Sequence, residues 1–131
     1  MSPRLTDAQK ALFEAPNYAV VTTLRPDGSP HSTVVWIELD EDGVPAFNTT
    51  TARVKGENLS ADPRVAVLVV QGGDFYRWVS VDGDVELTLD GAEEQIDRLS
   101  HKYDDKPWTY VEGQERVTVR VLPRHVTEYG L

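Results

Sequence analysis

Thr49, Thr50 and Thr51 bring three hydroxyls into one run, and Arg53 and Lys55 follow with two cations. Hydroxyls and backbone N–H groups donate to anion oxygens, Arg grips a phosphate through its planar fork, and Lys adds a point charge. These residues lie where a β-branched run passes into a short helical pattern, and a helix start adds free N–H groups and a favourable dipole. A phosphate is the ligand that suits this set. Asn58 is a weaker candidate for the same site, because its amide can serve the local backbone instead. Asp62-Pro63 reads as a stop for the helix rather than as a contact.

A flat heterocycle needs walls. Ser32, Val34 and Trp36 alternate with Thr33, Val35 and Ile37, so one set faces the core and the other is free to flank a ring. The alternation leaves open which set does so. Trp36 and Trp78 can stack on a heterocycle, although packing competes for both. Trp78 follows a Gly-rich turn beside Arg77, which a rim ion pair to one of the many carboxylates would explain. His31, His101 and His125 have no metal-ligand spacing, and no Cys is present to complete a site, so no metal is expected. The acidic clusters fall in turns and at helix starts. No nucleophile motif or phosphate-binding P-loop occurs. That lack does not argue against an enzyme, because a cofactor can carry the reactive atom while the protein supplies orientation, electrostatics and exclusion of water. Tyr76, Tyr110, Lys102 or a backbone N–H are candidate donors to developing negative charge on a substrate.

The elements that must hold these residues follow from pattern. Thr6 and Gln9 have capping-box spacing, and Leu12 and Phe13 give that first helix an apolar face ended by Pro16. Tyr18 to Leu24 reads as a buried strand, Arg25 to Pro30 as a turn, and His31 to Leu39 as a second strand. Asp40 to Gly43 closes another hairpin into a strand from Pro45 to Thr50. A helix is predicted over Val54 to Ser60, then a strand from Val65 to Gln71. Phe75 to Leu89 reads as a long extended stretch, with a bulge or bend at Asp82-Gly83-Asp84. Asp90 and Glu93 form a second capping-box candidate for a helix through Tyr103. A polar loop spans Asp104 to Gln114, and Arg116 to Tyr129 is the last strand. Strands joined by hairpins, with few short helices, predict a mainly β, antiparallel barrel.

With 131 residues the chain reads as a single domain, residues 1–131. Its 22 acidic residues against 13 basic ones argue against nucleic acid and against an anionic membrane surface. The first ten residues carry no apolar signal segment and no run reaches spanning length, so a cytoplasmic location is expected.

The Asp27-Gly28-Ser29-Pro30-His31 hairpin and the segment Arg53-x-Lys55-x-x-Asn58-Leu59-x-x-Asp62-Pro63, with the strand after it, resemble the flavin- and deazaflavin-binding split β-barrel proteins. This is the pyridoxamine-phosphate-oxidase-like group, and the wording is most similar to its actinobacterial subgroup that uses the deazaflavin F420. The resemblance implies a six-to-seven-stranded, FMN-binding-like split barrel and a homodimer with the cofactor in a groove at the subunit interface. It puts the phosphate on Arg53 and Lys55, the ring near residues 31–36 and 49–51, and Arg77 in reach of the cofactor of the other subunit. The implied activity is transfer of a hydride from reduced F420 to small unsaturated substrates of the enone or quinone type. An FMN-dependent oxidase or reductase on the same fold is the enzymatic alternative. A non-catalytic F420 carrier or sensor is the other.

Overall fold

The structure is a computed structural model and describes residues 3–131. Helix α1 spans Asp7–Glu14, α2 Val54–Ala61 and α3 Ala92–Asp104. The strands are β1 Ala19–Leu24, β2 Pro30–Val35, β3 Ile37–Leu39, β4 Pro45–Thr50, β5 Arg64–Val70, β6 Trp78–Thr88 and β7 Arg116–Tyr129. All seven join one antiparallel sheet in the order β2-β1-β5-β6-β7-β4-β3.

That order carries the architecture. β2 and β3 form the two opposite edges of the sheet, yet only Trp36 separates them in the chain. A single residue cannot cross a flat seven-stranded sheet, whose strands lie about 4.8 Å apart. The sheet therefore curls until its edges nearly meet, and Trp36 sits at the split. The continuous strand predicted from His31 to Leu39 is corrected here: it changes partners at Trp36, from β1 to β4.

The concave side is filled by alternating residues from every strand. Val21, Val67, Val69, Val79, Val81, Val119 and Val121 are fully buried beside Ile37 and Phe47, and Phe13 closes the barrel from α1. Burying each such Val contributes about 1.5–3 kcal/mol over leaving it in water. The Thr6–Gln9 capping box forms, with Gln9 N–H donating to Thr6 Oγ1 and Thr6 N–H to Gln9 Oε1. At Asp82/Gly83 the β6–β7 register shifts, as the Asp-Gly-Asp sequence predicts. A Cβ at Gly83 would stand 1.9 Å from the carbonyl oxygen of Leu122, so only glycine fits the bulge.

Two further expectations are revised. β6 starts at Trp78 rather than Phe75, because Gln71, Asp74 and Arg77 close a hydrogen-bonded loop over residues 71–77. The N-cap of α3 is Gly91, with φ of 79° and no side-chain cap, so the Asp90–Glu93 box does not form. Glycine reaches that left-handed backbone without the strain Asp would carry.

Candidate functional site

α2 begins where β4 ends, and the join is tight. Thr51 N–H donates to Glu115 O at 3.0 Å and Arg53 N–H to Thr50 O at 3.2 Å. A Cβ on Gly56 would meet the Thr50 carbonyl oxygen at 2.2 Å, so the helix presses against the strand through bare backbone. From inside α2, Asn58 Nδ2 donates to Thr23 Oγ1 at 3.0 Å, and Leu59 is buried in the core. The turn carrying Arg53 and Lys55 is thereby fixed on the barrel.

A groove of about 320 Å³ opens beside it, lined by Tyr18, Val34, Val35, Trp36, Asn48, Arg53, Lys55, Ile96, Leu99, Trp108 and Arg116. It lies at the split between β2 and β3, and its volume is in the range of small-ligand sites. Lys55 and Arg116 are both more than nine-tenths buried. Neither of them, nor Arg53, forms an ion pair among the described residues. Burial pushes the Lys55 ammonium below the usual lysine range, and the charges of Arg53 and Arg116 push it further. Arg116 is lowered by burial first and by Arg53 second.

Neutral groups hold Arg116 in place. Its Nη1 donates to Asn48 Oδ1 at 3.3 Å and Nη2 to Gln114 Oε1 at 3.0 Å, and its guanidinium lies 4.7 Å from the Trp108 ring centroid. The Asn48 amide is itself locked, donating to Ala92 O at 2.8 Å and Gln95 Oε1 at 3.0 Å. Arg116 Nε is buried with no acceptor, and so is Thr49 Oγ1. The Arg116 orphan, beside uncompensated cations, is what an anionic group in the groove would satisfy, whereas Thr49 faces the barrel wall.

Aromatic rings line the groove beside the cations. Trp36 stacks on Tyr103 at 5.6 Å and 6°, and meets Trp108 edge-on at 6.2 Å and 88°. Tyr103 Oη receives Ile37 N–H at 3.1 Å and donates to Asn17 O at 2.6 Å. Lys102 Nζ donates to Ile37 O at 2.6 Å and to Phe13 O. Two adjacent α3 side chains thus pin the backbone immediately after Trp36.

Of the residues expected at the site, the structure brings Arg53, Lys55, Val34 and Trp36 together in the groove. Thr50 stands opposite Arg116 in register, whereas Thr49 stands opposite Val117 in the barrel wall. Thr51 is half-buried in the turn. Asn58 serves the fold through Thr23. Ser32 shares a 2.8 Å hydrogen bond with Thr22 on the convex face. Arg77 and Trp78 lie outside the groove's lining. Arg77 donates to Gln71 Oε1 and Gly130 O, and Trp78 stacks on Tyr129 at 6.3 Å. Lys102 spends its donors on two carbonyls, while Tyr76 and Tyr110 are exposed.

Arg116, Trp108, Tyr18 and Asn48 are groove residues that the sequence reading did not assign. The one signal was that Arg116 begins a strand, and it gains meaning only when β7 is placed beside β4.

The convex face of the sheet continues from the groove. Val34, which lines the groove, stands opposite Val20, Val20 opposite Leu68, Val70 opposite Trp78, and Trp78 opposite Tyr129. Phe75 at 79% exposure and Val34 at 65% make this an apolar face open to solvent.

A family profile described as pyridoxamine 5′-phosphate oxidase matches residues 5–129. Among curated relatives, a pyridoxine/pyridoxamine 5′-phosphate oxidase of Azorhizobium caulinodans is 37% identical over 87 residues, 66% of this chain and 40% of that protein. One from Mycolicibacterium paratuberculosis is 41% identical over 64 residues, 48% of this chain and 29% of that protein. The chain thus spans half or less of the length of the curated relatives it matches. A solved structure named F420 Reductase superposes with a TM-score of 0.81 at 32% identity, covering 94% of this chain and 98% of that one. A protein of unknown function from Agrobacterium tumefaciens shares the fold at 22% identity with a TM-score of 0.77.

Proposed function

The chain belongs to the pyridoxamine 5′-phosphate oxidase family, and on that premise we propose that it is an F420-dependent oxidoreductase acting on small unsaturated compounds of the enone or quinone type. The observation that carries this reading is the cationic groove at the split, lined by Arg53 and Lys55, both free of carboxylate partners among the described residues, together with Trp36 and Trp108. Its likeness to the F420 reductase, nearly end to end in both chains, favours the deazaflavin. When bound, the reduced deazaflavin supplies a hydride for an electron-poor double bond.

The chain's own residues position and shield. Arg53 and Lys55 hold the phosphate, with Thr50 and the backbone N–H groups of α2 at hand. Trp36 and Val34 flank the ring, and Tyr103 holds Trp36 rigid by stacking. The apolar lining of Val35, Ile96 and Leu99 keeps water from the reacting face. The convex apolar face is where we dock a second copy to give a homodimer. Arg77 and Trp78 then act across the interface.

FMN is the second reading, favoured by the curated relatives, which are oxidases of pyridoxine/pyridoxamine 5′-phosphate. Titration of the purified protein with F420 and with FMN, followed by fluorescence, separates the two. Tight FMN binding with no F420 binding overturns the first choice. Binding of F420 without oxidation of its reduced form by a panel of enones and quinones makes the protein a carrier or sensor.

A further inference from the structure

The groove holds one cation more than its phosphate turn supplies. Arg53 and Lys55 come from the start of α2, whereas Arg116 comes from β7 and arrives opposite Thr50. Only neutral acceptors, Asn48 Oδ1 and Gln114 Oε1, engage its two terminal nitrogens. They orient the guanidinium without neutralising it. The face of the guanidinium is taken by Trp108, while Nε is buried with nothing to donate to. Glu93 supports its charge from a distance and makes no ion pair with it.

Three cations gathered without a counter-ion repel one another, and burial deepens the cost. Resting on the reading of this groove as a phosphate site, we infer that Arg116 is a third anion ligand, which makes the groove selective for a group bearing two negative charges. A phosphate monoester has that charge on one group. A diester has it only when a second acid, such as a carboxylate, sits beside the phosphorus. A singly charged diester leaves two of the three cations unanswered, against one for a doubly charged group. Arg116 is suited to the task because its remaining N–H groups are fixed in one plane by Asn48, Gln114 and Trp108, so little rotamer freedom is lost on binding.

The test uses the full chain and three small probes: methyl phosphate, dimethyl phosphate, and dimethyl phosphate with acetate present. Binding is followed by the N–H resonances of Arg116 Nε and the Trp108 indole. Methyl phosphate is expected to bind at least about tenfold more tightly than dimethyl phosphate and to shift Arg116 Nε–H, in keeping with a charge-assisted hydrogen bond. Arg116→Gln is expected to reduce the preference to about threefold or less, and Arg116→Lys to restore part of it through charge alone. Acetate that tightens dimethyl phosphate binding in the parent chain and not in Arg116→Gln identifies the second acid as the partner.

Loss of binding in Lys55→Gln, with an unchanged preference in Arg116→Gln, overturns the inference and leaves the phosphate reading standing. Methyl phosphate that leaves the Arg116 Nε–H resonance unmoved in the parent chain overturns it without recourse to any variant. If Lys55→Gln and Arg53→Gln bind methyl phosphate as the parent does, the phosphate reading itself fails, and Arg116 is then a structural cation stacked on Trp108.

Discussion

Lys55 is held by its surroundings in a state that suits anion binding and little else. It is almost wholly buried, has no acceptor among the described residues, and faces two guanidinium groups. Lys55→Gln is expected to weaken binding of the phosphate-bearing cofactor by roughly 10- to 100-fold, as for loss of one charge-assisted hydrogen bond. Arg53→Gln, at an exposed position, is expected to cost less; cofactor titration by fluorescence ranks the two. The lowered pKa of Lys55 also sets a pH dependence. The cation is lost on raising the pH, and this begins below the ordinary lysine value of about 10.4. Affinity in the parent chain is therefore expected to fall on the alkaline side before that value, and the fall is absent from Lys55→Gln. A flat profile through that range speaks against Lys55 as the ligand. Arg53 and Lys55 were legible in the sequence because cations packed beside hydroxyls at a helix start have few structural reasons to be there. Arg116 was not legible. Its neighbours Asn48 and Trp108 are remote in the chain, and single-sequence patterning says nothing of which strands pair.

Among the elements, α2 and α3 do the positioning. Gly56 lets α2 touch the end of β4 through backbone alone, so Gly56→Ala forces the two apart. It is expected to destabilise the fold by about 1–3 kcal/mol, as overpacking does, and to lower cofactor affinity as the cationic turn shifts. Denaturant unfolding and the same titration check this; an unperturbed Gly56→Ala protein removes the account of the turn's rigidity. At the other side of the groove, Lys102 and Tyr103 clip the chain after Trp36. Burial lowers the Lys102 pKa to about 8, against the partial support of Glu38 and Glu14. Between about pH 8 and the unfolded value of about 10.4 the unfolded chain binds more protons at this residue, so its contribution to stability rises with pH. The stability of the parent relative to Lys102→Met is expected to improve between about pH 7.5 and pH 9.5, measured by thermal unfolding. A difference that shrinks over that range contradicts the assignment. Strand and helix limits were mostly legible, since β-branched alternation and Pro or Gly punctuation survive packing. The break at Trp36 was not, because it arises from a change of partner strand, from β1 to β4, that no local pattern records. The Asp90 cap failed for a related reason, since the chain turns one residue later through the left-handed backbone of Gly91.

At the scale of the molecule, the proposed homodimer rests on the convex face. An apolar surface running from Val34 to Tyr129, with Phe75 standing clear of it, is larger than isolated surface hydrophobes explain. Val34→Asp with Phe75→Asp is expected to convert a dimer to a monomer in sedimentation and to weaken the cofactor site, because Val34 also lines the groove. A parent chain that sediments as a monomer at micromolar concentration rules out the assembly. The sheet order has a different consequence, one of timing. β7 is the final strand of these residues, yet it lies inside the sheet and is the one strand that pairs the β3–β4 hairpin with the others. A ribosome delivers it after the other six strands. Until residues 116–129 emerge, β4 has no partner but β3, and the barrel cannot close. Such distant pairing slows folding and leaves strand edges open to misassembly. The nascent chain is thus most vulnerable just before synthesis of this strand is complete, and a stop codon in β7 removes both the closure and the groove at once.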